Sequence, residues 1–293
     1  MPNNITTPPS STWAALLDHA LTEDLGIGDA TSQAVLDPFL KISSRLEARE
    51  SLVVCGLELA EATFRQLDET VRFESHLRDG SSASAGSVVA TIEGTAIAIL
   101  AAERTALNFI QRMSGIATET KRYVSAVSGT GVTIVDTRKT VPGWRVLDKY
   151  AVRVGGGRNH RSGLYDAILI KDNHIAAAGS VGTAIQMVKD AAAEHLWLQV
   201  EVESLKDAEE AVGYGIDSLL LDNRSVSELR EFVKQFGASC ILEASGGVTL
   251  ETVNEIAKTG VHRISIGALT HSAKAADLAL EVNDLRRKTP DAS

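Results

Sequence analysis

The sequence predicts an α/β protein: a regular parallel-sheet region preceded by a smaller α+β region. Three observations carry this. From residue 131 onward, six short apolar segments alternate with helical patterns, as in βα units whose sheet is covered on both faces. Before that point the texture is mixed, with a strand that has one wet face among helices. The composition is that of a globular protein of 293 residues, 44% hydrophobic and 23% charged, with only 4% aromatic, so Ala, Val, Leu and Ile must supply the core. The length suits about two domains of roughly 150 residues.

In chain order, residues 1–12 (MPNNITTPPSST) read as a disordered tail. Trp13, Leu16, Leu17, Ala20 and Leu21 then recur at helical spacing behind a Ser/Thr cap. A helix is predicted over 57–67. Val71, Phe73, Ser75 and Leu77 alternate with Arg72, Glu74, His76 and Arg78, a strand with one face in water, and a second strand is predicted over 86–93. A long helical pattern runs from Ala96 to Val127, with a break expected at Ser114-Gly115. The apolar strands follow at 132–136, 167–170, 196–202, 217–221, 239–243 and 262–266. Helices are predicted at 144–154, 181–193, 205–213, 226–236, 249–258 and 273–281. Six such units can form an open doubly wound sheet or most of a barrel, and periodicity does not choose between them.

Several function classes are disfavoured. Lys+Arg number 29 against 38 Asp+Glu, a net charge of −9, whereas general nucleic-acid binding leans on excess cations. Cys55 and Cys240 are far apart in sequence and neither belongs to a CxxC pair, which argues against a disulfide scaffold or a cysteine-based zinc site. The N-terminus lacks a secretory pattern and no apolar run reaches the roughly 18 residues of a membrane span, so a cytoplasmic protein is expected.

The strand ends are where chemistry is expected, because parallel α/β folds place their sites at the carboxyl edge. Asp136, Thr137, Arg138 and Lys139 follow the first strand, and Lys171 to His174 the second. Glu201 and Glu203 close the third, Asp222 and Asn223 the fourth. Glu243 to Gly247 close the fifth, and Gly267-Ala268 the sixth. Residues 136–171 carry eight Lys/Arg and three acids, a local charge of +5 within an acidic chain. Such a concentration suits a small polyanion, Arg gripping carboxylate or phosphate in a fork and Lys acting as a point charge. Arg145, Lys149 and Arg153 are instead expected on the wet face of the 144–154 helix. Glu201 and Asp222 suit Mg²⁺, which takes one or two carboxylates plus substrate phosphate, or else pair with Lys139 or Lys171. Ser245-Gly246-Gly247, ahead of the 249–258 helix, and Ile266-Gly267-Ala268 read as a phosphate cradle or as ligand-free turns. Gly155-Gly156-Gly157 reads as a mobile loop presenting Arg158, His160 and Arg161.

Seven blocks in order spell a resemblance: EDLGIGDATS (23–32), AERTALNFIQRMSGIAT (102–118), DTRKTVPGWR (136–145), GGGRNHRSGLYDAILIKDNHI (155–175), LQVEVES (198–204), LLLDN (219–223) and LEASGGVTLETVNEIAKTGVHRISIGALTHS (242–272). Over residues 13–285 the chain resembles the quinolinate phosphoribosyltransferases. The resemblance implies an N-terminal α/β sandwich domain (13–113), an incomplete α/β barrel of the type II phosphoribosyltransferase kind (114–272), and a C-terminal helix and tail (273–293). It implies transfer of phosphoribosyl from 5-phosphoribosyl-1-pyrophosphate to quinolinate with Mg²⁺, yielding nicotinate mononucleotide, pyrophosphate and CO2. It also implies a homodimer or higher oligomer in which Arg104 enters the partner's site, with no nucleic-acid or membrane partner. By the same resemblance Thr137, Arg138, Lys139, His160, Arg161 and Lys171 line the site, and Glu201 and Asp222 hold ribose hydroxyls and metal. Ser245, Gly246, Gly247, Ile266, Gly267 and Ala268 would bind the phosphate. Within that set, Arg138, His160 and Arg161 are expected to clamp the two carboxylates, with Lys139 and Lys171 nearer the reacting centre.

Two other classes compete: a Schiff-base aldolase using Lys171, and a non-catalytic phosphosugar or oxyanion binder on the same scaffold.

Overall fold

The computed structural model describes residues 5–191 and 195–285, without the side chains of 284 and 285. A 3-10 turn at Ser10–Thr12 leads into α1 (Ala14–Leu25) and α2 (Ala30–Val35). Then come β1 (Lys41–Ala48), β2 (Leu52–Val53), α3 (Leu57–Leu67), β3 (Arg72–Ser75), β4 (Ser82–Ala83), β5 (Val88–Thr95) and α4 (Ala96–Ala126). The chain continues through β6 (Thr133–Val135), α5 (Arg145–Val154), β7 (Ile168–Ile170), α6 (Asp172–Ala178), α7 (Val181–Asp190), β8 (Leu198–Glu201) and α8 (Leu205–Gly213). It closes with β9 (Ser218–Asp222), α9 (Val226–Phe236), β10 (Ile241–Ser245), α10 (Val253–Ala257), β11 (Arg263–Ser265), α11 (Ala268–His271) and β12 (Leu278–Leu285).

These elements form two compact units. One comprises residues 1–119, 141–155 and 273–293; the other comprises 120–140 and 156–272. In the first, a four-stranded sheet runs in the order β12-β1-β5-β3. Ile42, Leu46 and Ala48 of β1 turn inward and pack with Ala90 and Ile92 of β5, while Leu57, Ala60 and Phe64 cover them from α3. Ile99, Ala102, Ala106 and Ile110 of α4 fall at helical spacing and close the same core.

The break expected at Ser114-Gly115 is absent; α4 runs through it. Gly115 answers to packing instead, since a Cβ there would lie 2.0 Å from the Lys274 carbonyl oxygen. The helix expected at 273–281 is also corrected, because this stretch is β12. Leu278 and Leu280 pair with Ala48 and Leu46 of β1, and Leu278 is buried. The Ala- and Leu-rich local sequence favours a helix, but the open edge of β1 offers a full ladder of hydrogen bonds and wins. The 1–12 segment includes the 3-10 turn, and the Trp13 indole donates to the Pro8 carbonyl at 3.0 Å. Residues 1–4, 192–194 and 286–293, parts of the predicted tails and of the 181–193 helix, lie outside the described residues.

The predicted wet face of the 144–154 helix needs a further correction. Lys149 is 4% exposed and Asp148 is fully buried. Asp148 receives a fork from Arg112, Nε to Oδ1 at 3.1 Å and Nη2 to Oδ2 at 2.9 Å, and Trp144 stacks on Phe109 at 4.8 Å between centroids. Burial pushes the Asp148 carboxyl up and the Arg112 fork opposes it. In this way α5, although it lies between two strands of the parallel sheet in sequence, belongs to the first unit.

The second unit is a six-stranded sheet in the order β6-β11-β10-β9-β8-β7, every neighbouring pair parallel. From β7 to β11 the spatial order follows the chain order, and β6 adds beyond β11. Doubly wound sheets reverse direction at a switch point, whereas barrels progress around without reversal. The topology is therefore that of an α/β barrel left incomplete, with β6 and β7 as the two edge strands. Helices α7, α8, α9 and α10 pack on one another in sequence order, as an outer layer.

Candidate active site

The register of the parallel strands sorts their polar residues into rows. Ser245 of β10 lies beside Asp222 of β9 at the carboxyl edge. One pleat deeper, Glu201, Leu220, Glu243 and Arg263 form a continuous row across β8, β9, β10 and β11. A cavity of about 320 Å³ opens at these strand ends, lined by Thr137, Arg138, Lys139, His160, Arg161, Leu169, Lys171, Glu201, Leu220, Asp222, Glu243, Ser245 and Ser265. Nine of the residues expected from the sequence meet there. Gly246, Gly247, Ile266, Gly267 and Ala268 flank the lining without joining it. Arg104 is exposed on α4 in the first unit.

The cationic side is fixed from behind. Asp136, immediately after β6, is fully buried and accepts two bonds of 2.7 Å, from the Asn159 amide to Oδ2 and from the His160 backbone N–H to Oδ1. Arg158 adds a parallel bridge to Val135, so the loop expected to be mobile is pinned to β6 at this point. The His160 ring is engaged at both nitrogens. Its Nδ1 accepts from the Arg161 N–H at 2.8 Å, which leaves Nε2 to carry the proton given to Gln199 Oε1 at 2.9 Å. Gln199 in turn donates to Ser218 Oγ at 3.2 Å, and both are buried.

Arg161 donates to the Ala167 carbonyl at 3.2 Å. Burial, and then the like charge of Arg138, push its guanidinium below the usual arginine range, with Asp166 opposing. Arg138 Nε is buried without a hydrogen-bond partner among the described residues. Two crowded guanidiniums with donor capacity to spare form a site for an anion.

On the acidic side, Lys171 Nζ lies 3.4 Å from Glu201 Oε2, and Asn223 donates to Asp222 Oδ2 at 2.7 Å. Glu201 Oε2 is buried and makes no hydrogen bond among the described residues. The arrangement suits Mg²⁺, which keeps several waters and needs only one or two carboxylates beside substrate phosphate. Among the described residues no three His, Cys, Asp or Glu are grouped as a closed metal cage.

The glycine turn after β10 is built for close approach. Gly246 and Gly247 have φ of +92° and +58°, and a Cβ on Gly246 would fall 2.1 Å from Asn223 Oδ1. Asn223 itself has φ +52° and donates its N–H to the Ser245 carbonyl at 2.8 Å. The helix predicted to start at 249 starts at Val253, so several residues of turn separate the glycines from the α10 N-terminus. Gly267 sits close to the site lysine, a Cβ there falling 2.9 Å from Lys139 Cδ.

Sequence reading passed over Gln199, Ser218 and Ser265 and gave Glu243 no role. Gln199 was discoverable, being two residues before Glu201 and so on the same face of its strand.

The chain resembles proteins of known families over nearly its whole length. The quinolinate phosphoribosyl transferase N-terminal domain family matches residues 29–114, and the C-terminal domain family of the same enzymes matches residues 116–281. A probable nicotinate-nucleotide pyrophosphorylase [carboxylating] of Bacillus subtilis is 43% identical over 267 residues, 91% of this chain and 92% of that protein. A quinolinate phosphoribosyltransferase [decarboxylating] of Nicotiana glauca is 39% identical over 294 residues, 94% of this chain and 83% of its own. The crystal structure of NadC from Streptococcus pyogenes superposes with a TM-score of 0.91 at 38% identity, covering 95% of this chain and all of that one.

Proposed function

The chain belongs to the quinolinate phosphoribosyltransferase family, and on that premise we propose that it converts quinolinate and 5-phosphoribosyl-1-pyrophosphate to nicotinate mononucleotide, pyrophosphate and CO2, an entry step to NAD. The observation that carries this reading is the charge arrangement of the cavity. Arg138, Lys139, Arg161 and Lys171 face Glu201 and Asp222 across one space at the strand ends. Quinolinate is a dianion and the donor a polyanion, so binding both demands clustered cations. Ribose hydroxyls demand acceptors nearby.

In the reaction the pyridine nitrogen lone pair forms the bond to ribose C1′ while the C1′–O bond breaks, its electron pair leaving with pyrophosphate. The C2–carboxylate bond then breaks, CO2 departs, and the pair left on C2 is taken up by a solvent proton. Holding the nitrogen in line with C1′ is the first contribution of the protein. Arg138 and Arg161 are assigned to the two carboxylates. His160 Nδ1 holds the Arg161 backbone N–H, and Asp136 holds the His160 backbone. Lys139 and Lys171 lie toward the reacting centre, where their charge offsets the departing pyrophosphate. Glu201 and Asp222 take the ribose hydroxyls and would hold Mg²⁺, which when bound supplies charge neutralisation for pyrophosphate. Ser245, Gly246, Gly247, Ile266, Gly267 and Ala268 are assigned to the 5-phosphate, with backbone N–H groups at the turns as donors.

The enzyme is assigned to the cytoplasm; no helix among the described residues is long and apolar enough to cross a membrane. A homodimer is proposed in which exposed Arg104 completes the partner's site. Activity regained on mixing Arg104→Ala with Lys171→Ala subunits supports that sharing, and none regained after confirmed exchange removes it.

The deciding test is CO2 release from carboxyl-labelled quinolinate. Release that requires both the phosphoribosyl donor and Mg²⁺, with nicotinate mononucleotide in equal amount, is expected. Quinolinate that binds without turnover would make the protein a binder on this scaffold.

A further inference from the structure

One charge in the cavity has no part in the roles above. Glu243 lies mid-strand in β10, 1% exposed, and its side chain forms part of the cavity floor. Neither of its carboxylate oxygens makes a hydrogen bond among the described residues. His160 Nε2 is 3.6 Å from Oε1, beyond hydrogen-bond range, and its proton already goes to Gln199. Arg263, its register partner on β11, feels the Glu243 charge but stacks on the Trp197 ring at 4.3 Å. The other two acids differ, Glu201 having Lys171 beside it and Asp222 the Asn223 amide.

A buried carboxylate without donors costs stability. Here it also sits under a cavity whose two substrates, on the function proposed above, are both anions. In the ground state Glu243 therefore opposes binding. We propose that Glu243 is a fixed counter-charge for the cation that the reaction creates. As the C1′–O bond breaks with its pair going to pyrophosphate, positive charge builds on ribose C1′ and its ring oxygen. When the nitrogen lone pair closes on C1′, the charge passes to the pyridinium. A buried carboxylate with no hydrogen-bond partner among the described residues acts on that charge through a low dielectric. Its oxygens lie beneath the floor, so it acts across space rather than by contact. A group that repels the substrates and attracts the transition state is differential binding in its plainest form.

The test separates the two halves of that statement. Glu243→Gln keeps the shape and removes the charge. Calorimetry without the donor should show quinolinate bound about tenfold tighter, while kcat falls by about 10²-fold. Glu243→Asp keeps the charge and should keep wild-type affinity and kcat within about tenfold. An unchanged kcat in E243Q overturns the proposal. So does weaker quinolinate binding together with a lower kcat, which would mark Glu243 as a packing residue of the floor. If E243Q shows no cooperative melting, Glu243→Met carries the same pair of measurements. Wild-type protein that releases no CO2 overturns the proposed function itself; a working wild type with an unaltered E243Q overturns only the role of Glu243.

Discussion

The two sheets of this chain use their strands differently. In the antiparallel sheet β1 alternates exposed and buried residues along its length, and each inward residue serves only the core. In the parallel sheet Ser218 to Leu221 of β9 are all buried, and polarity is displaced to the strand end, at Asp222. A strand covered on both faces carries few charges within its length, Glu243 of β10 being an exception, and presents most of them at its terminus. Parallel topology then gathers those termini along one edge, and the antiparallel sheet, whose ends alternate, gathers nothing. The proposed site residues are concentrated in the second unit for that reason, with Arg104 of the first unit the one exception among them.

Substitutions should divide along the same line. The largest effect is expected at Arg161→Ala, where one arm of the proposed carboxylate clamp is lost and Arg138 is left alone. Steady-state kinetics should show the quinolinate KM rising by about 10²-fold, well above the change in donor KM. Equal changes would break the division of labour between clamp and reacting centre. Asp148→Ala removes the buried acceptor of the Arg112 fork in the first unit and should cost about 3 kcal/mol by denaturant unfolding, with kcat within a few-fold of wild type. A smaller loss, about 2 kcal/mol, is expected for Gly115→Ala. Alanine ordinarily favours a helix interior, but here its Cβ meets the Lys274 carbonyl. Stabilisation by G115A would show that the Lys274 carbonyl gives way at little cost and that Gly115 is not held by packing.

The smallest effect is a pH dependence in the loop beside the clamp. Burial raises the Asp166 carboxyl, but the Gly163 and Ser162 N–H groups it accepts outweigh this and hold it below its ordinary 3.8. Its contribution to loop order is therefore complete above that value and fades as pH falls through the lower, folded one. Protection of the Ser162 and Gly163 amides relative to their intrinsic exchange should fall on acidification below about pH 4, and Asp166→Asn should abolish that fall.

Legibility in the sequence follows the same contrast. Helices over 205–213 and 226–236 and the residues closing each parallel strand could be read directly, because βα units are local and their periods change sharply at the turns. What could not be read depends on distant partners. β1 passed unrecognised because its partners are β5 and β12 rather than near neighbours, and β12 looked helical because its partner β1 lies some 230 residues away in the chain. Lys149 looked solvent-facing because local periodicity does not reveal that α5 is covered on more than one side. In the site, the charged rim was visible but its supports were not. Gln199 and Ser218 are short polar interruptions in apolar strands, and only the His160 ring gives them a purpose.

The pairing of β1 with β12 also bears on how the protein is made. Ala48 leaves the ribosome long before Leu278, its partner in the ladder. At about 5–20 residues per second the interval is roughly ten to fifty seconds. Throughout that time the outer edge of β1 has no ladder partner from its own chain, while Ile42 and Leu46 face inward and its edge hydrogen-bonding groups look outward. Exposed edges of this kind recruit strands from neighbouring chains. Nascent protein should therefore be most prone to aggregation late in synthesis, and chaperone demand should track translation of the eight residues of β12 more than the emergence of the parallel sheet.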